Sequence, residues 1–332
     1  MRKILCLFFV SLFLLAGCGK YDEEDVVRDF TKKIEDAKSY YVEGELELVN
    51  NDDVYHYDVK VAFQEENFYR VSLTNTANNH TQVILKNDDG VYVVTPSLNK
   101  SFKFQSDWPY SNSQIYLLEA IANDIKDDDD RAFRETKDGY TFMTAVNYPN
   151  NRNLVKQKVS LSRKLKLKKV QVYNSDSVIC MTMDFNKIDY SPSFKKNYFS
   201  LNTVMKTYSL DEDATEQTSS LDESIYPLML PSGTKLTNEE KIDKDEGERI
   251  IMTFDGEKPF LLVEETANVE SEFTVIPTYG EPYQLMDTLG VMTDNSLNWT
   301  TNGIEYYLVS DALNQDELVE VAQSIGVVQT MK

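Results

Sequence analysis

An apolar run from Ile4 to Leu15 opens the chain behind two positive residues, Arg2 and Lys3. The run is too short to cross a bilayer comfortably and ends in small and then polar residues, Gly19 to Asp22, so it predicts a secretory signal rather than a membrane span. Val27, Phe30, Ile34 and Ala37 recur at helical spacing between Asp22 and Lys38, with acids first and lysines later, as a helix dipole prefers; one amphipathic helix follows. At Tyr55 to Phe63 the period drops to two, odd positions apolar and even ones mostly polar, which is a half-buried strand. Further strands are predicted at Tyr41 to Val49, Phe68 to Leu73, Thr81 to Leu85, Gly90 to Val94 and Ser101 to Phe104, separated by Asn- and Asp-rich turns. Ser111 and Gln114 form a capping-box pair ahead of Ile115, Leu118, Ile121, Ala122 and Ile125, which predicts a second helix. Strands resume at Tyr140 to Val146, Val155 to Leu161, Leu165 to Tyr173 and Ile179 to Phe185.

From Tyr208 to Ser220 all periodicity is lost and the chain becomes acidic and polar, as a linker does. Beyond it, strands are predicted at Arg249 to Phe254, Phe260 to Glu265, Phe273 to Ile276, Gly290 to Met292 and Ile304 to Val309. Asn314 and Glu317 then form a capping-box pair, Leu318, Val321, Ala322 and Ile325 make one apolar face, and Gly326 closes the last helix. The expected organisation is a signal peptide over residues 1–17, a first domain over 18–206, a linker over 207–224 and a small α+β domain over 225–332. A long twisted antiparallel sheet with few helices buries its apolar face by curling around them, so the fold class expected is α+β, mostly antiparallel β, with an unclosed barrel wrapped on helices. The 20 Tyr and 16 Phe either fill that core or line a cavity able to take an acyl chain.

Charge sharpens this picture. The chain carries a formal −21, and from Leu221 onward 22 acidic residues face 6 basic ones. Such a surface repels nucleic acid and anionic headgroups, which excludes nucleic acid as a partner of its bulk. Against that background Arg152 to Lys169 holds eight positive residues and no acid. If Ser162-Arg163-Lys164 turns the chain, Lys156, Lys158, Lys166 and Lys168 form a basic stripe. Its structural reading is a lysine-protected sheet face or edge; its functional reading is a dock for an acidic partner, anionic headgroups or the acidic second domain.

Candidate chemistry is sparse. His56 and His80 are the two histidines, and both are expected at the surface. No His or Cys pair has zinc spacing, no Gly-rich phosphate loop or Gly-x-Ser-x-Gly elbow occurs, and Asp243 to Gly247 reads as a solvated turn rather than a calcium loop. Cys180, in an apolar run, reads as a buried, inert thiol without a disulfide partner. No catalytic residue, metal or cofactor is predicted, although 55 acids always allow a carboxylate pair on paper.

Leu15-Ala16-Gly17-Cys18 resembles the lipobox of bacterial lipoproteins, which implies that Cys18 takes a diacylglyceryl group and becomes the first residue of the mature chain. Asp89 to Ser101, Lys166 to Tyr173, Met181 to Phe185, Ile188 to Tyr190 and Tyr198 to Leu201 are similar in pattern to the LolA/LolB-like lipoprotein-carrier superfamily, including its RseB and GerS types. That resemblance covers roughly residues 26–201. It implies an unclosed barrel covered by helices, with a cavity for lipid chains or a surface that docks a protein. Leu230 to Gly233, Leu297 to Trp299, Gly303 to Leu308 and Glu317 to Ile325 resemble an uncharacterised domain of Gram-positive lipoproteins. The expectation is therefore a non-enzymatic binding protein, anchored by lipid on the extracytoplasmic face of the cell membrane, that takes an acyl ligand or an envelope protein partner. The alternative class is an envelope enzyme acting on peptidoglycan or lipid.

Overall fold

The computed structural model describes residues 21–50, 53–106, 108–109, 113–149, 151–208, 221, 223–245 and 247–325. Helix α1 (Glu23–Glu35) is started by Asp22, whose side chain accepts from the Asp25 amide, and it buries Val26, Val27, Phe30 and Ile34. Eleven strands follow: β1 (Ser39–Asn50), β2 (Asp53–Gln64), β3 (Phe68–Asn75), β4 (Thr81–Asn87), β5 (Gly90–Thr95), β6 (Lys100–Phe104), β7 (Ala132–Thr136), β8 (Gly139–Ala145), β9 (Leu154–Ser162), β10 (Leu167–Asn174) and β11 (Ile179–Asp189). Helix α2 (Leu118–Asp127) lies between β6 and β7, and α3 (Leu201–Tyr208) follows β11. Helix α2 begins at Leu118 with no side-chain cap, six residues later than a box of Ser111 and Gln114 implies; Ser111 lies outside the described residues.

The second half contributes β12 (Thr234–Asp243), β13 (Glu248–Gly256), β14 (Phe260–Thr266), β15 (Thr274–Thr278), β16 (Glu281–Gln284), β17 (Leu289–Met292), β18 (Ser296–Thr301), β19 (Ile304–Val309) and α4 (Gln315–Gln323). Two sheets result. The first has twelve strands in the order β15-β6-β5-β4-β3-β2-β1-β11-β10-β9-β8-β7, and the second has seven in the order β12-β13-β14-β19-β18-β17-β16. Apart from β15, which joins β6 in parallel, neighbours pair antiparallel. The edges β15 and β7 do not meet, so the first sheet curls without closing, as expected of an α+β fold wrapped on helices.

Where β1 turns against β11 the register slips at Glu43/Gly44. A Cβ on Gly44 would stand 2.3 Å from the Asp184 carbonyl oxygen, so a glycine lets the two backbones approach. The concave face packs on α1 and α2 through one continuous core, from Val26 and Phe30 to Ile121, Phe142, Val159 and Met183. The convex face of β2 to β5 has its own core, in which Ala62, Val83, Leu85, Tyr92 and Val94 meet Phe199, Val204 and Met205. In the second sheet Ile250, Met252, Leu262, Trp299 and Leu308 pack on Leu318, Val321 and Ala322 of α4. That helix opens on the predicted box: the Glu317 amide donates to Asn314 Oδ1 at 3.0 Å and the Asn314 amide to Glu317 Oε2 at 3.1 Å.

Candidate binding site

The concave face of the first sheet is not an empty trough. The turn between β16 and β17, residues 285–288, sits in its mouth and leaves a cavity of about 100 Å³. Leu46, Leu48 and Ile84 form the sheet wall, Trp108 and Tyr116 lie across it, and Met286 and Leu289 close it from the second half of the chain. Strand β17 belongs to both cores: Leu289 and Val291 pack with the first sheet, Met292 with the second.

Buried Gln82 of β4 holds the turn. Its Nε2 donates to Thr95 Oγ1 and to the Leu289 carbonyl, both at 3.3 Å. Its Oε1 accepts from Thr288 Oγ1 at 3.0 Å and from the Leu289 amide at 2.6 Å. One amide side chain thus satisfies the backbone of a turn that would otherwise enter an apolar groove with its polar groups unpaired. Tyr57 of β2 adds a bond from its hydroxyl to the Met286 carbonyl at 2.8 Å.

Three further contacts fix the halves to each other. Strand β15 extends the first sheet beyond β6, so the strand predicted at Phe273 to Ile276 exists but pairs outside the small domain expected to contain it. Lys100 of β6, buried, is ion-paired with Glu305 of β19 and lies 3.9 Å from Glu270. At the other side the Arg152 amide donates to Asp316 Oδ1 at 3.1 Å. Of the expected linker, residues 209–220 and 222 lie outside those described, whereas Leu221 is buried in the second core.

Several carboxyls at or near the site are buried. Asp287, in the seated turn, has its pKa raised by desolvation, against a hydrogen bond from the Thr301 hydroxyl. Glu119 and Asp124 of α2 border a second cavity of about 270 Å³, and burial pushes them up to about 7 and about 6 respectively. Both are already engaged. Glu119 accepts from the Tyr40 hydroxyl, while Asp124 accepts from Ser113 Oγ at 2.9 Å and Gln157 Nε2 at 2.8 Å, so they fasten α2 to its surroundings.

The predicted site residues fare differently. Cys18 lies outside the described residues. The turn at Ser162 to Lys164 forms as expected, but the stripe is divided. Lys156 and Lys158 alternate outward from β9, Lys166 sits in the turn, and Lys168 falls where the β9–β10 register slips, so that Lys169 takes the next outward place and pairs with Asp184 at 3.0 Å. Lys156 Nζ donates to Ser177 Oγ at 3.1 Å. His56 is exposed; His80 is half-buried, 3.3 Å from Ser97 Oγ, because its turn packs beside the junction. Cys180 is half-buried on the cavity wall, and burial raises its thiol pKa, which keeps it protonated and unreactive. Asp243 to Gly247 joins β12 to β13, with Gly247 at φ +85. Sequence reasoning missed Gln82, Tyr57 and Thr288. A polar residue between Thr81 and Val83 in an apolar run was the available signal.

The chain belongs to the family of the sporulation protein YdcC of Bacillus subtilis (strain 168), to which it is 34% identical over 317 residues, covering 95% of this chain and 94% of that protein. No protein-family model matches it. Similar solved structures include the Pseudomonas aeruginosa MucA/MucB complex, at 13% identity and TM-score 0.30 over 89% of this chain and 98% of that one. The LolA superfamily protein NE2245 from Nitrosomonas europaea gives 12% identity and TM-score 0.29, over 53% and 98%. One chain in the structure of the complex between the CwlD amidase from Clostridioides difficile and the GerS lipoprotein gives 16% and 0.24, over 52% and 98%.

Proposed function

We propose that the protein is a non-enzymatic, lipid-anchored binding protein on the extracytoplasmic face of the cell membrane, which acts in sporulation by docking a protein partner. The observation that carries this reading is the seated turn. Ligand pockets typically run to about 300–1,000 Å³, and the 100 Å³ left here is too small for an acyl chain. To admit one into this groove, the chain would have to withdraw Met286 and Leu289 and break the bonds from Gln82 and Tyr57, while the cavity of about 270 Å³ beside α2 is itself below that range and bordered by Glu119, Asn123 and Asp124. A carrier needs its cavity open, whereas a docking protein needs its two halves held in fixed relation. The kinship with a sporulation protein supports the setting, and the lipobox-like Leu15 to Cys18 supports the anchor. The engaged state of Glu119 and Asp124 supports a structural role over an acid–base pair.

Native mass spectrometry of detergent-free protein tests the choice. The expected spectrum shows the chain with no non-covalent lipid, and a discrete complex once the partner is supplied from the envelope fraction. A native mass exceeding the denatured mass by that of an acyl lipid would overturn the docking reading in favour of carriage. Turnover of peptidoglycan or lipid, abolished by Glu119→Gln or Asp124→Asn in a folded protein, would overturn it in favour of an enzyme.

A further inference from the structure

The β7–β8 and β9–β10 turns lie side by side at one end of the first sheet, and they carry Lys137, Arg163, Lys164 and Lys166, with Lys168 just inside β10. Leu165, at φ +55, packs against the core and leaves Lys164 and Lys166 exposed. Arg163 is engaged by Glu135 at 2.5 Å, but Lys164, Lys166 and Lys168 have no ion-pair partner among the described residues. Lys33 of α1 belongs to the same end: its Nζ lies 4.1 Å from the centre of the Tyr190 ring, just beyond β11, and its pKa is lowered first by burial and then by Lys166. The acids of these turns are Glu135, which Arg163 holds, and Asp138. At the start of α1, Glu23 and Glu24 are paired with Arg131, and Asp25 and Asp29 with Arg28.

A second observation places the chain's entry at the same end. The Tyr21 ring lies 6.2 Å from that of Tyr140, and the Arg163 guanidinium lies 5.3 Å from the same Tyr140 ring. Two residues, Gly19 and Lys20, separate Tyr21 from Cys18, a reach of at most about 10 Å. The acidic second half touches the opposite end of β9, where Arg152 meets Asp316. A nine-residue strand puts the two ends roughly 25–30 Å apart.

We propose that the end bearing Lys33, Lys137, Lys164, Lys166 and Lys168 is a membrane-facing surface that takes the headgroups of anionic phospholipid, and so orients the anchored molecule with its acidic half away from the bilayer. This rests on the lipid-anchor reading of Cys18. The physical case is charge complementarity at short range: an anionic leaflet attracts juxtamembrane lysines within about a Debye length and repels the −16 carried beyond Leu221. An anchor alone leaves orientation free, and a basic patch beside it supplies the second contact.

The test is lysine footprinting of the full, lipid-bearing chain in nanodiscs of phosphatidylcholine, with and without phosphatidylglycerol. Acetylation of Lys164, Lys166 and Lys168 is expected to fall by about threefold or more in the anionic discs, with recovery in high salt. Lys235 and Lys241 of the second half should be unchanged. In a K164E/K166E/K168E variant that still loads onto discs, Lys33 and Lys137 should lose their protection. Equal reactivity in both discs with the chain still anchored would overturn the surface and leave the anchor reading intact, directing attention to an acidic protein as the patch's occupant. A chain that fails to load onto either disc would overturn the anchor reading, and this proposal with it.

Discussion

The two halves of the twelve-stranded sheet follow the same pairing rules and end in opposite surroundings. In β4 and β5 every residue from Thr81 to Leu85 and from Val91 to Thr95 is buried; in β9 and β10 burial alternates along the strand. The difference lies in what covers the convex face. Over β2 to β5 the segment from Phe194 through α3 packs down, with Arg70 buried between the rings of Tyr198 at 4.6 Å and Tyr208 at 5.3 Å. Over β9 and β10 the convex face shows Lys156, Lys158 and Gln171. The covered half is the one that grips the turn of the second half, through Gln82. The uncovered half is left to charge and solvent.

The largest effect expected is at the grip. Replacing Gln82 with Leu orphans the buried Leu289 amide, leaves its carbonyl with only a 3.5 Å bond from the Thr288 hydroxyl, and should cost about 4 kcal/mol of unfolding free energy; urea titration reads the loss, with early proteolysis near residues 282–289. Leu85→Ala, under α3, should cost about 3 kcal/mol. Gln171→Ala, at the equivalent convex position of the open half, should stay within about 0.5 kcal/mol. Equal costs for these two would erase the comparison.

Glu264 provides a pH-dependent contrast within the second sheet. It is fully buried, its Oε2 accepts from the Ile225 amide at 3.0 Å, and desolvation pushes its pKa from 4.5 up to about 7. Between those values the folded chain holds a proton that the unfolded chain has released, so stability falls as pH rises through that window. Glu264→Gln should therefore raise stability by about 2 kcal/mol at pH 8 and change little at pH 4. Thermal melts at the two pH values check the sign. Smallest of all, K156E/K158E should shift stability by under about 0.5 kcal/mol, since both side chains are partly solvated.

Strands with one dry face were legible before any coordinates. The alternation of Tyr55 to Phe63 and the box at Asn314 and Glu317 each produced the element expected. Strand β12 was not legible, because its residues from Asn238 to Lys241 are exposed and no period of two survives in such an edge. Strand β7 is a short exposed edge, β16 contains Pro282, and β18 mixes Ser and Asn with Leu and Trp. Pairing across the chain was harder still. Phe273 to Ile276 looked like a strand, but nothing local says that β15 runs parallel to β6. Likewise the run from Gly290 to Met292 announces a strand without revealing that Val291 and Met292 face different cores. The site went unread for the same reason, since Gln82 gains its role from a turn more than two hundred residues away.

The most direct test is hydrogen exchange at the Leu289 amide, which donates to Gln82 Oε1 inside the groove. If the turn is a permanent part of the first sheet's core, this amide should exchange as slowly as that of Val93, and both should share the same dependence on urea. Exchange of Leu289 orders of magnitude faster than Val93, with no sensitivity to urea, would mean that the turn leaves the groove in the native state and that the cavity stands open to a lipid.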